Sequence, residues 1–163
     1  MNDLFAPPGD DWRPVSPQLC KMRRVVLLTT TGILLIAVIV IFLVFDLPGW
    51  LMGLSLGAVL AFAVLAWAMI GRSSRAWGYA ERDEDLYIKH GAMFRELIVV
   101  PYGRMQFVDI NSGPIERAYG IASVHLHTAS PGTSARIPGL PADEAARLRD
   151  RLTSLGEAQA AGL

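Results

Sequence analysis

Cysteine, lysine and net charge are what this sequence has least of. Cys20 is the single cysteine, which excludes an internal disulfide, a Cys-x-x-Cys pair and a cysteine-based zinc site. Fifteen acidic side chains balance fifteen basic ones, and Gly71 to Leu163 carries 11 of each. That balance argues against a nucleic-acid binder, whose domain is expected to be basic. It argues equally against a strongly polybasic surface for docking on anionic lipid. A Ser-His-Asp order, a glycine-rich phosphate loop and an HExxH helix are all missing, so no constellation supports an enzyme. His125 and His127 share one strand face, but a metal site needs three or four ligands and no third has obvious spacing. The expectation is a non-catalytic chain without cofactor or metal.

Charge is also missing from Val25 to Ile70, with Asp46 as the one exception, and here the absence is itself the signal. Val25–Phe45 and Trp50–Ile70 are each long enough to cross a hydrocarbon core, which takes roughly 20 helical residues. In lipid such runs are helical, because every backbone polar group must be bonded internally. Asp46-Leu47-Pro48-Gly49 between them has turn chemistry, so residues 46–49 read as a short extracytoplasmic turn in a helical hairpin. The first span is too long for a signal-peptide core and no small-x-small site follows it. Lys21, Arg23 and Arg24 precede the hairpin, and Arg72, Arg75 and Arg82 follow it. The positive-inside rule then places both termini in the cytoplasm. Neither span holds the interior charge that a transporter needs at depth. Gly53, Gly57 and Ala61 form a small-xxx-small face, expected to pack on the first helix, near Gly32, with a dimer face as the sharper alternative.

Residues 1–15 read as an unstructured segment and 16–45 as the first helix with a cytoplasmic lead-in, Ser16-Pro17 supplying N-cap and first helical position. Trp12 is placed by the sequence neither on the membrane nor on the domain. From Trp77 the apolar pattern alternates, the mark of half-buried strands. Leu86 with Ile88, Leu97–Val100, Met105–Ile110, Val124 with Leu126, and Ala135–Ile137 follow. Over Met105–Ile110 the alternation puts Gln106, Val108 and Ile110 on one face and Met105, Phe107 and Asp109 on the other. Pro114–Tyr119 reads as a short helix and Pro141 opens a final one, whose Ala145, Leu148, Leu152 and Leu155 make an apolar stripe ending at Gly156. The soluble domain is thus expected over 77–156, with a mobile tail at 157–163.

The run Tyr102-Gly103-Arg104-Met105-Gln106-Phe107-Val108-Asp109-Ile110-Asn111, with Gly113-Pro114-Ile115-Glu116-Arg117 and Gly120-Ile121-Ala122-Ser123-Val124 after it, resembles the signature of bacterial pleckstrin-homology-like (PH-like) domains. Two spans ahead of one such domain look like the YdbS-like PH-domain membrane proteins. The resemblance implies a membrane-anchored α+β chain: a two-helix transmembrane hairpin, then a small PH-like antiparallel β-barrel or sandwich capped by a C-terminal helix. It implies the inner membrane of a bacterium, with the domain cytoplasmic.

Within the matched run, Arg104, Asp109, Asn111 and Arg117 are candidates for a lipid-headgroup or partner contact, against the plainer reading that Asn111 to Pro114 is a turn and helix entry fixed by Arg117 and Asp109. Of Tyr87, Phe94 and Phe107, the alternation points Tyr87 and Phe107 away from the main apolar face; exposed together they would form a partner patch, the alternative being a second small cluster under the final helix. The reading is an interaction or scaffolding module held at the bilayer, a homo-oligomer or the companion of a second membrane PH-domain protein. The alternative is lipid-headgroup sensing.

Overall fold

The computed structural model describes residues 12–46, 48–128 and 135–160. Two compact units emerge, one of Cys20–Arg72 and one joining the N-terminal residues through Leu19 to everything from Ser73 onward.

The first unit holds most of helices α1 (Pro17–Phe45) and α2 (Gly49–Arg75). Both are long and apolar enough to cross a membrane and stay exposed along their apolar windows. Asp46, with φ 47°, begins the reversal between them, and Leu47 of the expected turn lies outside the described residues. At the base of the hairpin the Arg24 guanidinium lies 4.6 Å from the centroid of the Trp67 ring. Gly53, Gly57 and Ala61 are exposed, and a Cβ at 53 or 57 would meet nothing within 4 Å. A Cβ at Gly32, which is half-buried, would likewise meet nothing within 4 Å. This corrects the expectation of packing within the hairpin: the half-buried face of α2 runs instead through Met52, Leu56, Val59, Ala63 and Ala66.

The second unit is built on two antiparallel sheets. Strands β1 (Arg13–Pro14), β2 (Gly78–Glu81), β3 (Asp85–His90) and β4 (Glu96–Pro101) form one in sequential order. Strands β5 (Met105–Asn111), β6 (Ile121–Thr128) and β7 (Ala135–Pro141) form the other. Helix α3 (Pro114–Ala118) joins β5 to β6, and α4 (Ala142–Ala160) follows β7. Leu86, Ile88, Val100, Val124, Leu126, Ile137 and Leu148 are at most 1% exposed, so the alternating residues do supply the core.

Three expectations are corrected. The segment 1–15 is not unstructured at its end: Arg13 pairs with Tyr79 and Pro14 with Gly78, Val15 is buried, and the Ser16 N–H donates to the Gly139 carbonyl at 2.9 Å. Residues 1–11 lie outside the described residues. Because β1 precedes α1 and its partner β2 follows α2, the hairpin is inserted between two neighbouring strands. In β5 a bulge between Met105 and Phe107 resets the alternation, so Met105 joins Val108 and Ile110 on the half-buried side. Helix α4 passes through Gly156 to Ala160 rather than stopping, so 157–160 is helix and 161–163 lies outside the described residues.

Helix α4 bridges both sheets. Its Ala145, Leu148 and Leu152 are buried at the β5–β7 side, while its charged edge reaches β1 and β2. Arg147 donates from Nε to Glu144 at 2.8 Å and from a terminal nitrogen to Glu81 at 2.5 Å. Arg151 meets Glu81 at 3.1 Å, Arg13 meets Glu144 at 3.1 Å, and the Tyr79 hydroxyl donates to Glu144 at 2.6 Å. Hydrogen bonds from Arg147 hold the Glu144 carboxyl down at about 2, against the opposing effect of its burial. Burial and the bond to Glu144 push the Tyr79 phenol up to about 12. Since Glu144 binds a proton more weakly folded than unfolded, its contribution is full above about pH 4.5 and is lost as pH falls towards about 2. Unfolding of the full chain at pH 6 and pH 3 is expected to show that loss, and Glu144→Gln to flatten it.

Candidate functional site

The matched run does not gather into one site. Arg104 closes a 3-10 turn (Tyr102–Arg104) immediately before β5, whereas Asn111 ends β5 and Arg117 sits in α3 beyond it. Seven strand residues at about 3.4 Å each separate the two arginines by roughly 20 Å. The Arg104 side chain is exposed and makes no hydrogen bond or ion pair among the described residues. Arg117 donates from Nε to the Ser112 carbonyl at 3.1 Å, so it fixes the β5–α3 turn as the plainer reading expected.

That turn is organised by a residue the sequence reading passed over. Glu116 accepts the Gly113 N–H at 3.0 Å and the Ser123 hydroxyl at 3.1 Å, and faces Arg136 at 3.8 Å. Ser123 is fully buried and also accepts from Arg136 at 3.0 Å. The signal available in sequence was the reach of Glu at the third helical position back to the residue before the helix, a capping pattern.

The aromatic candidates also part company. Tyr87 lies on β3 with the Arg82 guanidinium 4.6 Å from its ring centroid, Phe107 on β5 in the other sheet, and Phe94 in the β3–β4 connection. Phe107 is 51% exposed and stacks on His127, with ring centroids 4.2 Å apart and planes 13° from parallel. His127 also approaches Asp109 at 3.5 Å. Phe107, Met105 and Val108 line one wall of a groove whose other wall is Leu152, Thr153 and Gly156 of α4. His125, opposite Asp109 on β5 and Arg136 on β7, has its imidazole pushed below its ordinary value by burial and then by Arg136 and His127. Among the described residues no three His, Cys, Asp or Glu side chains group closely enough to hold a metal.

Exposed membrane-length helices, two antiparallel sheets and a C-terminal helix define a membrane protein with a PH-like domain. The family model described as bacterial PH domain matches residues 24–155, and the chain belongs to that family. A curated relative is the transmembrane protein YdbS of Bacillus subtilis (strain 168), 29% identical over 150 residues, covering 91% of this chain and 92% of that protein. No solved structure matches.

Proposed function

We propose that the chain is a non-catalytic interaction module: a multi-pass hairpin displays the PH domain at the cytoplasmic face, and the β5–α4 groove binds a protein of the same membrane, in the first instance a second copy. Phe107 carries this reading. It is an exposed aromatic side chain fixed by its stack on His127 beside a groove that the described residues leave open. Rigid aromatic anchors of this kind are where interfaces concentrate their binding energy. A second copy is favoured by the outward small-residue face of Gly53, Gly57 and Ala61, across which helix backbones approach closely in lipid. The basic residues flanking both spans support the cytoplasmic assignment. Tethering in one membrane raises the effective concentration of partners, so a modest interface suffices. Headgroup sensing by Arg104 together with Arg117 is disfavoured by their places at opposite ends of β5.

Phe107→Glu tests this. The variant is expected to keep the unfolding midpoint of the wild type, since the side chain is half exposed, while self-association in mild detergent weakens roughly 30-fold or more, as for loss of an interface hot spot. An unchanged assembly state would count against the groove.

A further inference from the structure

We propose that the β3–β4 tip, residues 91–95, immerses Met93 and Phe94 in the interfacial zone of the bilayer that the chain itself crosses, as a second membrane contact made by the domain. Met93 is 75% and Phe94 86% exposed, more than any other large apolar side chain of the PH domain. Strand direction says which end of the sheet they occupy. Helix α2 ends at Arg75 and β2 begins at Gly78, which pairs with Lys89, so the end of β3 lies where the chain arrives from its second span. His90 pairs with Glu96 across β3 and β4, and the tip projects beyond that pair at the same end.

Two tryptophans lie at the same end, among charged and polar residues that include Lys89, His90 and Glu96. Trp77 stacks on His90 at 4.7 Å, and Lys89 Nζ lies 4.0 Å from the centroid of the Trp12 ring. Tryptophan is the residue enriched at membrane–water interfaces. The opposite end of the sheet is charged, with Arg82, Asp83 and Glu84 in the β2–β3 turn, Asp85 at the start of β3 and Arg104 beside them. The end where the chain enters from α2 thus combines Met93, Phe94 and two tryptophans with Lys89, His90, Arg95 and Glu96, whereas the far end gathers the acids Asp83, Glu84 and Asp85. The tip is also built rather than loose. Gly91 has φ 99°, and a Cβ there would fall 1.7 Å from the Phe94 carbonyl oxygen, so the turn closes only around glycine. A hairpin that holds Met93 and Phe94 outward, uncovered by the described residues, has the apolar chemistry that the interfacial zone of a bilayer accepts. The tip and Phe107 belong to different sheets, so this contact stands apart from the β5–α4 groove.

The test uses the full chain with Cys20→Ser, carrying a nitroxide label at Phe94→Cys or at Asp83→Cys, in vesicles of phosphatidylethanolamine and phosphatidylglycerol. The ratio of collisions with oxygen to collisions with a water-soluble nickel chelate reports immersion. It is expected to be severalfold higher at 94 than at 83. A label at Ala92→Cys, which leaves Met93 and Phe94 in place, is expected to read immersion too, and to lose it when both are replaced by serine. Equal ratios at 94 and 83 would overturn the proposal. So would shielding of position 94 from both reagents, or spin–spin broadening there, since either means that protein covers the tip.

Discussion

Arg147→Met is expected to destabilise the domain by about 2–3 kcal/mol, because it strips the main partner from two carboxylates at once. The Glu81 side chain is only 9% exposed, and Arg147 reaches it and Glu144 together, leaving Glu81 with Arg151 at 3.1 Å and Arg13 at 3.5 Å. The two carboxylates in turn hold the Arg147 guanidinium above its ordinary range, Glu144 first and Glu81 next. The energetic asymmetry matters here. A paired, half-buried ion contributes modestly, but an abandoned one carries its full desolvation cost. Arg149→Met is the control: Arg149 pairs with its exposed neighbour Asp150 at 2.6 Å, and its loss should change stability by less than about 0.5 kcal/mol. Denaturant unfolding of the full chain in detergent, followed through tryptophan fluorescence, measures both. Equal effects of the two substitutions would contradict the assigned weight of the Glu81–Glu144 cluster.

Gly139→Ala is the second large effect, expected at about 2–4 kcal/mol from left-handed strain together with overpacking. Gly139 has φ 69°, and a Cβ there would lie 2.6 Å from the Leu19 Cβ, 2.9 Å from its Cδ2 and 3.0 Å from its Cγ. Leu19 is 1% exposed, so it has nowhere to go. The substitution forces the first turn of α1 off β7, together with the bond from Ser16 N–H to the Gly139 carbonyl. Gly120→Ala separates strain from clash: its φ of 65° is similar but a Cβ there meets nothing within 4 Å, so only about 1–2 kcal/mol is expected. The same unfolding measurement should rank the two in that order, and the reverse order would mean that Leu19 is not seated against β7.

These two substitutions act on the part of the fold that was least legible in the sequence. The hairpin announces itself as two uncharged runs, each long enough to cross a bilayer, joined by Asp-Leu-Pro-Gly. Leu86, Ile88, Val124 and Leu126 announce the strands by strict alternation, and all four are buried. Strand β1 has no such signal: two residues, one of them proline, pair with a strand more than 60 positions away, and short non-local pairing leaves no period to read. Glu81 carries no local signal either, because its partners, Arg13, Arg147 and Arg151, are remote in sequence and converge only in the folded domain. The bulge in β5 hid the half-buried placement of Met105 for a related reason, since one unpaired residue inverts every side assignment before it. Gly156 looked like a helix stop, yet it lies inside α4 where the helix passes the Tyr102 carbonyl, whose oxygen would be 3.6 Å from a Cβ. Of the candidate site, Phe107 was legible as an outward aromatic residue. Its stack on His127 was not, because it depends on the register of β5 against β6.

The measurement that tests the central claim most directly is photo-crosslinking of the full chain in native membranes, with the photoreactive residue placed at Phe107 and, as control, at Arg149 on the exposed side of α4. The account predicts a single discrete adduct from position 107, of the mass of a second copy or of one other membrane protein, and none from position 149. A bare monomer at 107, or the same adducts from both positions, would contradict the reading of this PH domain as an interaction module working through the β5–α4 groove.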